Sequence, residues 1–465
     1  MKAPARRSAA AGLIFAVTAL GLSAQSVPKI NFSDTKLKNG LRVIISEDHS
    51  APVFSIVVNY NVGSANERKG RTGFAHLFEH MMFKGSENVG PGEHPYLMFM
   101  YGGNMNGTTN KDRTLYYEVM PSNQLDLALF LEADRMRSLE ITAANLENQR
   151  NAVQEERRLG IDNQPYGKTS EALDELAYDN FAYEHSVIGS MADLSAATVE
   201  DVAAFFKTYY APNNAVVSIV GDVDTKATLE KARKYFEAIP SQPQPPPVDM
   251  AEPPQTAERR ATIEDALARL PRLDMVYKIP AAGSPDADAL SVLASILSGG
   301  RSARLYESIV RQKQLSSGVS GFASLSRGPG LFQFGGTPLP GKTPAELEAA
   351  IEEEITKIQT APIADWELQK ARNASRANFI GGLGSSLNRA IQLSEDALAF
   401  NDPGRINTRA ASIAKVTAAD VQRVAKQYLV KTNRTVIVTT PKAAPPKASA
   451  PTASSPKASA PKGVE

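Results

Sequence analysis

The sequence contains no cysteine. Disulfides, thiolate ligands and lipid-modified cysteines are excluded, so any bound metal must be held by His and carboxylates. Histidine is scarce, five in 465 residues, which makes any cluster of it informative. An excess of either charge is also missing: 51 Lys and Arg against 50 Asp and Glu leave +1. No basic patch is interleaved with aromatics, and nucleic acid and anionic membranes are not expected partners. Beyond the first 24 residues, no run is long and apolar enough to span a bilayer. What remains is globular in composition, with 42% apolar and 22% charged residues. The length exceeds what one core usually organises, and two or more domains are expected.

The first 24 residues read as a leader. Lys2, Arg6 and Arg7 precede an uncharged stretch, 8–21, and Leu22-Ser23-Ala24 offers a small-residue cleavage site. The expected location is periplasmic or secreted. Adjacent Arg6 and Arg7 leave the twin-arginine and general export routes both open. A mitochondrial presequence would scatter its arginines further along the segment.

After the leader, 40–47 and 53–62 read as strands. Residues 101–120 read as a hairpin with an accessible edge. Helical spacing follows over 124–139 and 144–160, the latter with Gly160 placed as a C-cap. A helix at 199–209, a strand at 214–221 and a helix at 225–236 complete the first half. Residues 240–254 contain seven prolines, which neither helix nor sheet interior tolerates, and a stiff, extended linker is expected. Beyond it the plan partly recurs: strand 274–279, helices from 287 to 310, strand 331–335, helix 418–428 and strand 435–440. From residue 443 on, Pro, Ala, Ser and Lys dominate, and such a tail cannot offset its ordering entropy.

The most informative stretch is His76-Leu77-Phe78-Glu79-His80. On a helix, positions i and i+4 stack one turn apart, so His76 and His80 can aim their rings at one ion. Glu79 sits near that face and can reach a water there without being a ligand. The pattern is HxxEH, the inverted zincin motif. Phe74, Leu77, Phe78, Met81 and Phe83 would bury this helix, which leaves the imidazoles poorly explained unless something binds them.

The HxxEH helix after two strands, the segment Ala152-Val153-Gln154-Glu155-Glu156-Arg157-Arg158 and the paired-domain plan resemble the pitrilysin or insulinase family of zinc peptidases. Its half-length bacterial members, relatives of the mitochondrial processing peptidases, are the nearer match. The resemblance implies an α+β fold of two related domains, each a mostly antiparallel sheet packed with helices, together forming half of a clamshell chamber. It implies a catalytic zinc-binding domain over 30–240, a Pro-rich linker over 241–257, a second domain without metal over 258–441 and a disordered tail over 442–465.

The resemblance also implies one zinc ion per chain, with a third ligand about 75 residues after the motif. Counting leads to Glu155 and Glu156, which differ by about 100° in helical phase, so one of them can face the ion. The family pattern puts the ligand directly before the Arg-Arg pair, which selects Glu156. Glu79 is then the general base. The edge near 106–109 is expected to add an extended peptide as an extra strand, with Asn106, Gly107 and Thr108 as substrate-binding candidates.

One departure is visible. Where full-length relatives carry an Arg and a Tyr that orient substrate, residues 310–318 offer Arg311 but Ser317 in place of Tyr. The implied function is a zinc endopeptidase paired with a homologous subunit that lacks zinc and supplies the Arg/Tyr pair, or else a homodimer. A scaffold or peptide-binding subunit that keeps the fold is the alternative.

Overall fold

Alternating apolar side chains build two sheets in the computed structural model, which describes residues 29–442. The leader and nearly all of the tail expected from the sequence lie outside those residues. Strands β1 (Ser33–Lys36), β2 (Arg42–Glu47), β3 (Val53–Tyr60), β4 (Asn104–Thr109), β5 (Thr114–Pro121) and β6 (Ala215–Gly221) form one sheet in the order β1-β2-β6-β3-β5-β4. Strands β7 (Arg259–Asp265), β8 (Arg272–Ile279), β9 (Ser316–Ser324), β10 (Gly330–Pro338) and β11 (Arg434–Pro441) form the other in the order β7-β11-β8-β10-β9.

The two orders correspond strand for strand once β1 is set aside. In each, the last strand of that half inserts between a parallel and an antiparallel neighbour: β6 between β2 and β3, β11 between β7 and β8. All other pairs are antiparallel. The fold is therefore α+β, two related and mostly antiparallel sheets packed with helices.

Strand β3 shows how the sequence positions the layers. Phe54, Ile56, Val58 and Tyr60 point to one face, into a core shared with helices α1 (Phe74–Met81), α3 (Leu125–Arg137) and α4 (Ala143–Arg157). Helix α2 (Glu93–Met100) adds Met98 to the same core. Val57 points the other way, together with Ser55 and Asn59. That second face is covered from the far half of the chain. Helix Ser386–Phe400 lays Ala390, Leu393 and Ala397 on Ile44, Val57, Leu115, Val216 and Val220. Its Ser386 Oγ lies 2.9 Å from Ser55 Oγ, and Asn59 Nδ2 donates to Ser394 Oγ at 3.2 Å.

The loan is reciprocal. Helix α5 (Gly167–Ala177) belongs to the first half, yet its Leu173 and Ala177 join Val276, Leu331 and Ile437 of the second sheet. Thr169 Oγ1 meets Thr439 Oγ1 at 2.8 Å in the same contact. Each half thus completes the other's sheet. The Pro-rich stretch 240–256 carries neither helix nor strand and is strapped down. Asn213 Oδ1 accepts the Gln242 N–H at 3.0 Å, and Glu252 accepts the N–H groups of Asp179 and Asn180 at 2.9 and 3.0 Å.

One expectation fails. Gly160 does not cap α4; it sits in a π-helical turn, Arg158–Asp162, that continues the helix. The close approach that needs a glycine is seven residues on. A Cβ on Gly167 would lie 2.0 Å from the Ile161 carbonyl oxygen, whereas one on Gly160 would meet nothing within 4 Å.

Beneath the first sheet lies a buried polar cluster. His94 Nε2 is 2.6 Å from Glu118 Oε1, and Arg135 Nε donates to Glu132 Oε2 at 2.9 Å. These side chains tie α2, β5 and α3 together, and the Arg135 guanidinium lies over the Tyr116 ring at 4.5 Å. Burial pushes the Glu118 carboxyl up to about 7 and His94 down to about 3, so both are neutral in mildly acidic solution.

Two consequences can be measured. Leu393→Ala should cost about 2–5 kcal/mol. Because Leu393 seats the second half on the first sheet, calorimetry should show a single unfolding transition shifted as a whole; two transitions with one unmoved would contradict the exchange. The second concerns Glu118. Its raised pKa means the folded chain holds a proton that the unfolded chain releases between about pH 4.5 and 7. Stability from this group is full below that window and lost as pH rises through it. Glu118→Gln should remove that loss, so the variant's melting temperature relative to wild type should rise from pH 4.5 to 7.

Candidate metal centre

The HxxEH helix is short, and its N-terminus is held from outside the helix. Gly73, before the first turn, takes φ +86° and offers no side-chain cap. A Cβ there would lie 2.5 Å from the Ile188 carbonyl oxygen. The cap comes from Glu67, whose carboxylate accepts the N–H groups of Gly73 and Ala75 at 2.9 and 2.8 Å. His185 Nε2 lies 3.0 Å from the same carboxylate. Phe74, Leu77, Phe78 and Met81 anchor α1 in the core, which turns His76 and His80 toward α4.

Glu156, in the last turn of α4, meets them. Its Oε1 is 3.6 Å from His76 Nε2 and its Oε2 is 3.3 Å from His80 Nε2. Glu155 turns away and pairs with Arg158 at 3.0 Å. Tetrahedral zinc with bonds of about 2.0–2.1 Å separates its ligand atoms by roughly 3.4 Å. The donor set and its spacing therefore fit zinc. Burial lowers the pKa of His76 to about 4 and lowers that of His80 as well. Both rings are thus neutral near pH 7, the form that binds metal. His76 Nδ1 is buried with no hydrogen-bond partner among the described residues.

Glu79 is buried beside this trio. Thr109 Oγ1 donates to its Oε2 at 2.6 Å. Burial, reinforced by the charge of Glu156, raises the Glu79 pKa to about 6. Strand β4 passes over it so closely that a Cβ on Gly107 would lie 2.8 Å from Glu79 Cγ. β4 is an edge of its sheet, paired with β5 on one side. Asn106 is exposed and accepts the Gly107 N–H at 2.9 Å. Thr108 receives Arg113 Nη1 on its carbonyl and hydroxyl oxygens at 2.8 and 3.1 Å.

Arg311 and Ser317 belong to the second half of the chain. Arg311 is exposed and paired with Glu307 one turn earlier; Ser317 stands on edge strand β9. Three participants escaped the sequence reading, Glu67, His185 and Gln149, and Thr109, inside the expected edge 106–109, was not read as a partner of Glu79. Gln149 is buried on α4 two turns before Glu156 and lies close enough to His80 to favour its protonated form. Its seven-residue offset from Glu156 was the available signal, since that spacing keeps both on one helix face.

A second group, His94, Glu118 and Glu132, also brings metal-binding atoms within 4.8 Å of one another. There the Arg135 guanidinium already supplies the cation, with its pKa raised against burial by Glu132 and Glu118. At the His76 site no Lys or Arg among the described residues is paired with Glu156.

Comparison with known proteins identifies the family. Residues 42–190 match the family profile described as Insulinase (Peptidase family M16), and residues 196–375 match Peptidase M16 inactive domain. Zinc protease PqqE of Helicobacter pylori is 32% identical over 412 residues, 87% of this chain and 92% of that protein. The crystal structure of a protease from Helicobacter pylori superposes with a TM-score of 0.85 at 31% identity, over 89% of this chain and 100% of that one. The first half of the periplasmic protease PqqL from Escherichia coli shares the fold, with a TM-score of 0.72 at 17% identity over 89% and 93% of the two chains. The chain belongs to the insulinase family of peptidases, M16.

Proposed function

We propose that this chain is a zinc-dependent endopeptidase acting on extended peptides or unstructured protein segments. The observation that carries the reading is the meeting of His76, His80 and Glu156 at zinc-like separations beside a buried Glu79. The two imidazoles and Glu156 would hold the ion. When bound, zinc supplies Lewis acidity, acidifying water and polarising the scissile carbonyl.

Glu79 then acts as general base. Buried beside the two imidazoles and Glu156, its carboxylate would take a proton from the attacking water and pass it to the leaving amine. Thr109 fixes the carboxylate through Oε2. Gly107 lets the backbone of β4 approach that carboxylate. The outer edge of β4 has no strand partner among the described residues and would take an added strand, with Asn106, Gly107 and Thr108 along the contact, once the Asn106 side chain releases the Gly107 N–H. Such pairing accepts many sequences but demands an extended chain, so folded proteins should be poor substrates.

The leader motif supports export to the periplasm or beyond. Ser317, in the place of the family's Tyr, supports pairing with a homologous subunit that supplies the Arg/Tyr pair. In length the chain matches one half of the longer PqqL chain, of which it covers 48%. The match of residues 196–375 to the inactive-domain profile favours a second reading, a non-catalytic scaffold or peptide-binding subunit.

Metal content and turnover of a fluorescence-quenched, unstructured peptide separate the readings. Wild type should carry one zinc per chain. Glu79→Gln should keep the zinc and lose cleavage by about 10²–10⁴-fold. His80→Ala should lose both, and full zinc retention in that variant would overturn the ligand assignment. Zinc-loaded wild type without turnover, alone or with a paired subunit, would establish the scaffold reading.

A further inference from the structure

Exposed apolar surface is concentrated in one place. Of the eight exposed large apolar side chains among the described residues, four fall within six consecutive positions: Tyr96, Phe99, Met100 and Tyr101. Tyr96, Phe99 and Met100 are 59, 65 and 63% exposed. Helix α2 turns His94 and Met98 inward, and the i, i+3, i+4 spacing gathers those three on its outer face. Scattered exposed apolar residues need no explanation, but a contiguous stripe of this kind marks a contact surface.

The stripe is continuous with the strand edge. It runs through Tyr101 and the Gly102-Gly103 turn into Asn104, the first residue of β4. Gly102 takes φ +76° and Gly103 is pressed against Met98 and Met120, so no side chain stands between stripe and edge. The underside of α2 is fixed to β5, the neighbour of β4, by the 2.6 Å contact of His94 with Glu118. Stripe and edge therefore form one rigid surface. Residues 95–110 contain no charged side chain, which selects for a neutral, apolar occupant. Aromatic and Met side chains adapt to apolar groups of varied shape.

From Gly107, beside Glu79, to Asn104 is about 10 Å of strand. A peptide paired antiparallel to β4 runs from Thr109 toward Asn104. Its residues downstream of the cleaved bond then leave the edge over Tyr101 and the α2 stripe.

We propose that Tyr96, Phe99, Met100 and Tyr101 form an apolar subsite for peptide substrates. It receives hydrophobic side chains about three to six residues C-terminal to the cleaved bond. The proposal rests on the reading of β4 as the strand that accepts the peptide. It makes the stripe a specificity determinant for a site whose backbone pairing is otherwise indifferent to sequence.

The test uses two fluorescein-labelled peptides with the same cleavable core. One carries Leu and Phe three to six residues downstream of the bond, the other Ser and Gly. Binding to the full chain bearing Glu79→Gln is read by anisotropy, and kcat/KM is read with the wild-type residue at 79. The apolar peptide should be favoured about tenfold in both measurements, as expected from burying one or two large apolar side chains. Adding Tyr96→Ser, Phe99→Ser and Tyr101→Ser should shrink that preference below twofold. Melting temperatures of the two chains, compared in parallel, report whether the fold is intact. An undiminished preference in the triple variant, or a change in oligomeric state without loss of preference, would overturn the subsite. Absence of turnover with a preference in binding that the triple variant abolishes would refute the peptidase reading and leave the subsite standing.

Discussion

A buried carboxylate sets the aim of the HxxEH helix. Glu67 is 9% exposed, and both its oxygens are committed to N–H groups at the start of α1. The first turn of a helix presents unpaired donors and the positive end of the backbone dipole, so a carboxylate there satisfies both at once. Gly73 supplies no side chain for the purpose, and the cap must come from a different part of the chain. Burial raises the pKa of Glu67, while His185 pulls it back and is itself raised by the carboxylate. His185 Nδ1 is anchored on the Phe181 carbonyl at 2.7 Å. A chain of contacts thus runs from residue 181 to the helix that carries His76, Glu79 and His80.

That dependence explains which parts of the site were legible in the sequence. HxxEH could be read because its geometry is local: the spacing that writes the motif also places the side chains. Glu156 needed the family resemblance, since a carboxylate on a separate helix gives no local sign of what it faces. Glu67 and His185 left no sign, being 118 residues apart and typed like ordinary surface residues. Thr109 lay at the end of the edge expected to take substrate, and only the placement of β4 against Glu79 shows its contact with that carboxylate. Gly160 misled because glycine near a helix end normally signals a stop; the chain instead used its glycine at Gly167, where backbone meets backbone.

The fold shows the same division. The strands around β3, β5, β6, β8 and β11 follow from alternation and β-branched content. The exchange of helices does not. Apolar spacing in Ser386–Phe400 tells that one face is buried, yet nothing in it says that the sheet it buries belongs to the other half. Burial by exchange makes each sheet depend on residues more than 200 positions away, as Ser55 with Ser386 and Thr169 with Thr439 illustrate. The duplicated topology therefore behaves as one interlocked body, and the site on the first half is stiffened by packing supplied from the second.

The Pro-rich strap has a further meaning for a chain with such a site. Residues 240–256 are backbone without a ladder partner, the form that an open strand edge captures most readily. Its prolines carry no N–H, so the strap cannot complete a ladder on another molecule's β4. Pinning by Asn213, Asn180 and Lys278 keeps it from lifting away. The segment joining the two halves is thereby a poor occupant of an open strand edge, by the same pairing rule that the proposed endopeptidase function would apply to a foreign peptide.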